Sequence, residues 1–228
     1  MIEFLDVHRM YKTIAGDVHA LRGVSLSLAA GDFGFVIGPS GSGKSTILHL
    51  AGALDRASSG VVRINGEDLS KLDDRRLSRF RRDNIGFIFQ SFNLISNLSA
   101  LDNVLVPMLP AGISKADRDR AAEMLAAVGL ENRLHHRPNQ LSGGEQQRVA
   151  VARALFKKPT VVLADEPTGE LDSVTGREVF SLLRKANKDS RWTFLVVTHD
   201  RTHISQGDKL FCIRDGRLVA DAEQHAFS

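Results

Sequence analysis

A single cysteine in 228 residues, Cys212, excludes an intrachain disulfide framework and a cysteine-built zinc site. It stands in the strand-like run from Lys209 to Arg214, where it reads as a buried thiol acting as a small hydrophobe rather than as a nucleophile. Long apolar runs are missing as well. The longest, such as Val161 to Ala164 and Phe194 to Val197, fall far short of the roughly 20 residues a helix needs to cross a bilayer. The N-terminus alternates like a strand and lacks the basic region and apolar core of a secretion signal, so the chain is expected in the cytoplasm. No strong charge bias exists: 30 Lys and Arg face 27 Asp and Glu, and the net +3 is scattered, so nucleic acid is not an expected partner. The one local cluster, Arg75, Arg76, Arg79, Arg81 and Arg82, reads as a solvated helix face ahead of a phosphate or lipid contact. No repeat or low-complexity tract is present. What remains, 43% hydrophobic and 25% charged, is the composition of a globular domain large enough to bury a core.

Strand-type runs at Ile2 to Val7, Val24 to Leu28, Phe33 to Ile37 and Val61 to Ile64, punctuated by Gly16, Gly31 and Gly60, make the first third strand-rich. From Ser114 to Val128 the apolar spacing becomes that of an amphipathic helix, which Gly129 can close. Two further apolar runs, Thr160 to Ala164 and Thr193 to Val197, flank a helical stretch from Thr175 to Ala186. That is the alternation of a parallel sheet buried on both faces.

The segment Gly38 to Ser45, GPSGSGKS, satisfies the P-loop pattern between a strand-like run and a helix-forming one. Gly38, Gly41 and Gly43, spaced by Pro39, Ser40 and Ser42, let the backbone curl so that N–H groups cradle phosphate oxygens. Thr46 continues the cradle into the helix. Lys44 should reach the β and γ phosphates and the Ser45 hydroxyl should ligate Mg²⁺. Asp165 and Glu166 end an apolar strand where ligands of open α/β sheets collect. Asp165 is expected to hold Mg²⁺ and Glu166 to polarise the attacking water. Adjacent strand residues point to opposite faces unless the strand is ending, so one buried and one solvated carboxylate is the alternative.

The run Leu141 to Ala150, LSGGEQQRVA, resembles the signature of the ATP-binding cassette (ABC) proteins. Read as residues, Ser142, Gly143 and Gly144 place a hydroxyl and exposed N–H groups at a helix start, a second anion-binding end. The resemblance implies that this end meets the γ-phosphate of ATP held by another subunit. It also likens Phe89–Gln90 to the Q-loop, Leu171–Asp172 to the D-loop and Val197 to Asp200 to the H-loop. On that likeness Gln90 coordinates Mg²⁺ or the attacking water and marks a hinge. His199 senses the γ-phosphate, with a structural histidine as the alternative, and Tyr11 stacks on adenine, with core packing as the alternative.

The resemblance covers essentially the whole chain and implies an α/β fold: a P-loop NTPase core with an N-terminal antiparallel β subdomain and an inserted α-helical subdomain. Residues 1–228 would form one domain, with the core at about 1–90 and 159–228 and the helical part at about 91–158. Phe80 to Arg82, Ile85 to Leu94 and Leu163 to Gly169 are similar to the lipoprotein-releasing and macrolide-exporter ATPases. Glu170 departs from that group, which commonly shows Asn there, and adds a negative charge beside the expected dimer seam. The implied cofactors are ATP and Mg²⁺. The implied partners are a second copy, through an ATP sandwich, and integral membrane permease subunits on separate chains, holding the protein on the cytoplasmic face of the inner membrane. A soluble ABC ATPase acting on ribosomes or DNA, and a membrane-coupled signalling ATPase that moves no substrate, are the alternatives. Phe92, Leu94, Ile95 and Leu98 are expected to line part of a groove for the membrane partner.

Overall fold

The computed structural model describes residues 1–14 and 16–219; Ala15 and the last stretch of the expected core, 220–228, lie outside the described residues. Strand β1 (Ile2–Thr13) forms an antiparallel hairpin with β2 (Gly16–Leu28), running from the pair Ile2–Leu28 to the pair Thr13–Gly16. Both strands are longer than the alternation in the sequence indicates. The outer half of β2 is exposed and that of β1 largely half-buried, and bulges between Phe4 and Val7 and between Arg9 and Met10 break the two-residue period. Cross-strand hydrogen bonds, rather than burial, carry that part of the ladder.

After β3 (Phe33–Ile37) and α1 (Lys44–Ala51), β4 (Ser59–Ile64) pairs with the other side of β1, and the short β5 (Glu67–Asp68) completes a four-stranded antiparallel sheet in the order β2-β1-β4-β5. The arginine cluster lies on α2 (Asp74–Asn84), whose only buried residue is Leu77. The chain then enters β6 (Ile85–Ile88).

A helical lobe follows, built from α3 (Ala100–Leu105), α4 (Lys115–Ala127) and α5 (Gly143–Leu155). The chain returns through β7 (Val161–Asp165), α6 (Ser173–Ser190), β8 (Thr193–Thr198), β9 (Lys209–Arg214) and β10 (Arg217–Leu218). The second sheet has the order β10-β9-β3-β8-β7-β6, parallel except for β10.

Alternate residues of its central strands enter two different cores, which is why those strands read as unbroken apolar runs. Val36, Leu163, Leu195 and Val197 pack with α1 and the antiparallel sheet. Phe35, Ile37, Val162, Ala164, Phe194 and Val196 pack with Val179, Phe180 and Leu183 of α6. Helix α5 belongs to two cores at once, with Val151, Ala154 and Leu155 on the parallel sheet and Val149, Ala152 and Phe156 inside the lobe. The lobe is therefore fastened to the sheet by the helix that the LSGG segment begins. Cys212 is buried, as its place in an apolar strand implied. Among the described residues no helix is long and apolar enough to cross a membrane.

Candidate functional site

The loop from Gly38 to Gly43 runs from the end of β3 to the start of α1. Gly43 is the N-cap of α1 with φ 107°, a left-handed conformation that L side chains rarely adopt, and no side chain caps the helix. A Cβ there would also stand 2.6 Å from the Ala20 carbonyl oxygen of β2. The first N–H groups of α1 thus open on the loop, which is the arrangement that receives an anion. Lys44 is buried and its ammonium donates to the carbonyls of Gly38 (2.8 Å) and Pro39 (2.9 Å), folding back over the loop. Ser42 is buried with its Oγ unpartnered, a polar atom that a phosphate oxygen would satisfy. Ser40 and Gly41 are exposed at the loop tip, and Ser45 and Thr46 occupy the first turn of α1.

Facing this loop, β7 ends at Asp165. Glu166 then adopts φ 44°, a left-handed conformation uncommon for a residue with a side chain, while its N–H still donates to the Val197 carbonyl (2.8 Å). This break in the strand lets both carboxylates serve one site. Burial raises the pKa of Asp165; His49, Lys44 and Ser45 draw it down, and Glu166 pushes it up. Burial lowers the pKa of the Lys44 ammonium against the pull of Glu166 and Asp165. Lys44, Ser45, Asp165 and Glu166 therefore share one electrostatic cluster. Glu166 accepts the Thr198 hydroxyl on Oε2 (3.0 Å), and its Oε1 lies 2.9 Å from Nδ1 of His199, whose side chain is 73% exposed. A histidine so exposed is not a core residue.

Gln90, exposed just beyond β6, lies against the loop after Glu166: a Cβ on Gly169 would meet its Nε2 at 3.0 Å. Ser142, exposed, is the N-cap of α5. Its Oγ accepts from the Glu145 N–H (3.3 Å) while Glu145 accepts from the Ser142 N–H (2.8 Å). That bond uses a lone pair of the hydroxyl and leaves its proton to donate elsewhere. The Ser142 N–H holds the Glu145 carboxyl below its ordinary range, with Arg133 at 3.0 Å acting in the same sense against burial. Gly143 stays half-buried, whereas Gly144 is buried: a Cβ there would lie 2.3 Å from Thr175 Cγ2 of α6. Gly144 thus sets the close approach of α5 to α6, a packing role besides the N–H group expected from the sequence. Asp172 caps α6, accepting from Val174 N–H (2.9 Å), Thr175 N–H (3.0 Å) and Thr175 Oγ1 (2.6 Å). Tyr11 lies on the outer half of β1, half-buried rather than in the core.

Three residues that the sequence reading passed over join these. His49 sits one helical turn after Ser45, a spacing of four that puts it on the same face of α1 beside Asp165. Thr198 orients Glu166. Gln147, fully buried in α5, donates its amide to the carbonyls of Pro167, just past Glu166, and Phe89, just before Gln90. It stands inside the LSGGEQQRVA run, but its role was not legible there, because only the fold brings α5 between those two loops.

A groove of about 780 Å³ opens between α2 and the helical lobe. Phe87, Phe89 and Val106 contribute apolar surface, and Arg75, Arg79 and Lys157 contribute charge. None of Phe92, Leu94, Ile95 and Leu98, expected to line such a groove, is among its lining residues. Phe92 and Asn93 are both left-handed (φ 58° and 49°), and their carbonyls accept from Arg153. Beyond them the buried Asn103 amide donates to the carbonyls of Ile95, Leu98 and Ser99, Leu94 packs on the lobe core, and the Ile95 side chain stays exposed. The arginine cluster, read as a solvated face, instead supplies one wall.

Residues 21–169 match the protein family described as ABC transporter. The macrolide export ATP-binding/permease protein MacB of Hyphomonas neptunium is 45% identical over 97% of this chain, which spans 34% of that protein's length. The lipoprotein-releasing system ATP-binding protein LolD of Geobacter metallireducens is 44% identical over 97% of this chain and 99% of its own. The dimeric post-hydrolysis structure of the ATP-binding cassette MJ0796, bound to ADP and Pi, superposes with a TM-score of 0.89 at 43% identity, covering 96% of this chain and 97% of that one.

Proposed function

This chain belongs to the ABC transporter family and is one of its ATP-binding, ATP-hydrolysing cassettes, and from that premise we propose that two copies close on two ATP molecules to drive separate membrane subunits of the export or lipoprotein-release kind. The observation that carries this reading is the clustering of Lys44, Ser45, Asp165 and Glu166 at the open N-terminus of α1, with the Ser142 end of α5 capped within the chain yet free to donate outward.

In this reading the N–H groups of Gly41 to Thr46 and the Lys44 ammonium hold the β and γ phosphates of ATP, exchanging the carbonyls of Gly38 and Pro39 for phosphate oxygens. Ser45, Asp165 and Gln90 would hold Mg²⁺. The protein offers it few ligands, so phosphate and water oxygens complete its shell, as suits this cation. When bound, Mg²⁺ offsets charge building on the phosphates. Glu166 orients and polarises water in line with the γ-phosphate, held by Thr198 and by its own bent backbone. His199 meets the γ-phosphate, and Tyr11 offers a ring face to the base. Ser142, Gly143 and the D-loop residue Asp172 complete the site from the second copy, which MJ0796 supports by being a dimer.

The apolar groove with basic walls is the docking place for a cytoplasmic segment of the membrane subunit. The names of the MacB and LolD relatives support a permease partner and a place on the cytoplasmic face of the membrane. Light scattering with ATP, with ADP and without nucleotide tests the sandwich. Dimer confined to the ATP sample supports it, and a monomer in all three, with ATP bound and the membrane partner present, overturns it.

A further inference from the structure

The Tyr11 ring is held by two other side chains. Its hydroxyl donates to Asp55 Oδ2 at 2.7 Å. Arg9 makes a two-point pair with the same carboxylate, Nε to Oδ2 and Nη2 to Oδ1, both 2.8 Å. The Arg9 guanidinium carbon also lies 4.3 Å from the Tyr11 ring centroid, covering one ring face. Arg9 and Asp55 are both only 22% exposed at their side chains, so this pair is less screened than a surface one.

The position of this group is tied to the phosphate loop at two points. Tyr11 pairs across the hairpin with Val18, and Ala20, two residues further along β2 or roughly 7 Å, is the residue whose carbonyl abuts Gly43. Asp55 lies three residues beyond Gly52, which ends the helix that carries Lys44 and Ser45. The ring is therefore anchored to β2, which abuts the loop, and to the segment that follows α1.

We infer that Arg9 and Asp55 are positioning residues for the nucleotide base: a guanidinium on one face and a carboxylate on the hydroxyl fix the Tyr11 plane before the nucleotide arrives, and the remaining face is the stacking platform. This rests on the reading of Tyr11 as the base platform given above. A ring already locked loses no rotamer freedom on binding, whereas a loose one must be ordered by the ligand. The clamp contributes to the base and not to the phosphates, so its loss separates ligands with a base from those without.

The experiment is calorimetric titration of the full chain with the non-hydrolysable analogue AMP-PNP and, separately, with inorganic tripolyphosphate, using Asp55→Asn, Arg9→Met and Tyr11→Ala. Asp55→Asn is nearly isosteric and Arg9→Met keeps an apolar stem on the ring, so both are chosen to fold. Expected is a 2- to 10-fold weaker AMP-PNP affinity in Asp55→Asn and Arg9→Met, roughly the cost of ordering one side chain, with tripolyphosphate affinity unmoved. Arg9→Lys should recover only part of the loss, because it lacks the flat two-point fork. In steady-state hydrolysis the defect should appear in KM more than in kcat. Unchanged AMP-PNP affinity in both variants, with a loss in Tyr11→Ala, overturns the clamp and leaves the base platform standing. Wild-type AMP-PNP affinity in Tyr11→Ala overturns the platform and the clamp with it. Equal losses for both ligands would show a general disturbance of the phosphate loop and also overturn the clamp.

Discussion

Glu166 Oε1 stands 2.9 Å from His199 Nδ1, so the proposed base and the proposed γ-phosphate sensor are hydrogen-bonded to one another in this chain. The contact joins the end of β7 to the end of β8, neighbours in the parallel sheet. Replacing Glu166 by Gln preserves size and reach but removes the charge proposed to polarise water. Hydrolysis should fall by about 10² to 10⁴ while ATP binding persists, and the variant should accumulate as an ATP-bound dimer in light scattering. Wild-type turnover in Glu166→Gln would remove it from the catalytic role.

Lys44 and Ser142 should fail in different ways, since one is proposed to touch phosphate within its own chain and the other to meet it across the dimer. Lys44→Ala should weaken nucleotide binding to the monomer. Ser142→Arg should abolish hydrolysis with monomer affinity nearly intact, at a stability cost of about 1 kcal/mol for the lost cap. Titration of dilute monomer distinguishes the two; equal losses of monomer binding would mean that one chain completes its own site.

Asp165→Asn should stabilise the nucleotide-free chain. Burial raises the Asp165 pKa, so its stabilising contribution is present below the ordinary carboxylate pKa and is lost as pH rises through the raised value. Asn is neutral throughout and avoids that loss. Thermal melts at neutral pH should show a higher Tm for Asp165→Asn, together with a weaker dependence of ATP affinity on Mg²⁺. A lower Tm would mean that the bonds to Ser45 and the pull of His49 and Lys44 outweigh burial.

Gly144→Ala should destabilise the chain by about 1 to 3 kcal/mol, as overpacking of a tight contact does, because its Cβ would sit 2.3 Å from Thr175 Cγ2. Thr175→Ser removes that methyl group and keeps the hydroxyl on Asp172. The double variant Gly144→Ala with Thr175→Ser should therefore recover most of the loss in denaturant unfolding. Additive losses would place the strain elsewhere.

Arg75→Glu with Arg79→Glu reverses the charge of one groove wall on residues that are exposed. Co-purification with the membrane subunit should be lost while ATP binding is retained. Leu94→Asp should not mimic it, since Leu94 packs on the lobe core rather than lining the groove. Retained co-purification of the double arginine variant would count against the groove.

Much of this molecule was legible from local pattern. β3 matches the apolar run Phe33 to Ile37 at both ends, and β7 and β8 match theirs within one residue, because a strand buried on both faces must be apolar throughout. The polar halves of β1 and β2 carried no such signal, and neither did α2, which buries a single side chain. The residues after Gln90 were ambiguous for a related reason: apolar side chains there read the same whether they face the lobe core, as Leu94 does, or solvent, as Ile95 does, and only the tertiary structure distinguishes them.

The sequence by itself determined the chemistry of the site, since a phosphate cradle needs glycines, a lysine and a hydroxyl at fixed spacing along one loop and helix, and those spacings are short enough to be set by the backbone alone. The tertiary structure alone decided what stands against what. Glu166 meets His199 across 33 residues, Gln147 reaches Pro167 and Phe89 from α5, and Arg9 and Tyr11 converge on Asp55 from 46 and 44 residues away. Contacts at such separations depend on how sheets and helices pack, and packing is a property of the whole core rather than of any segment.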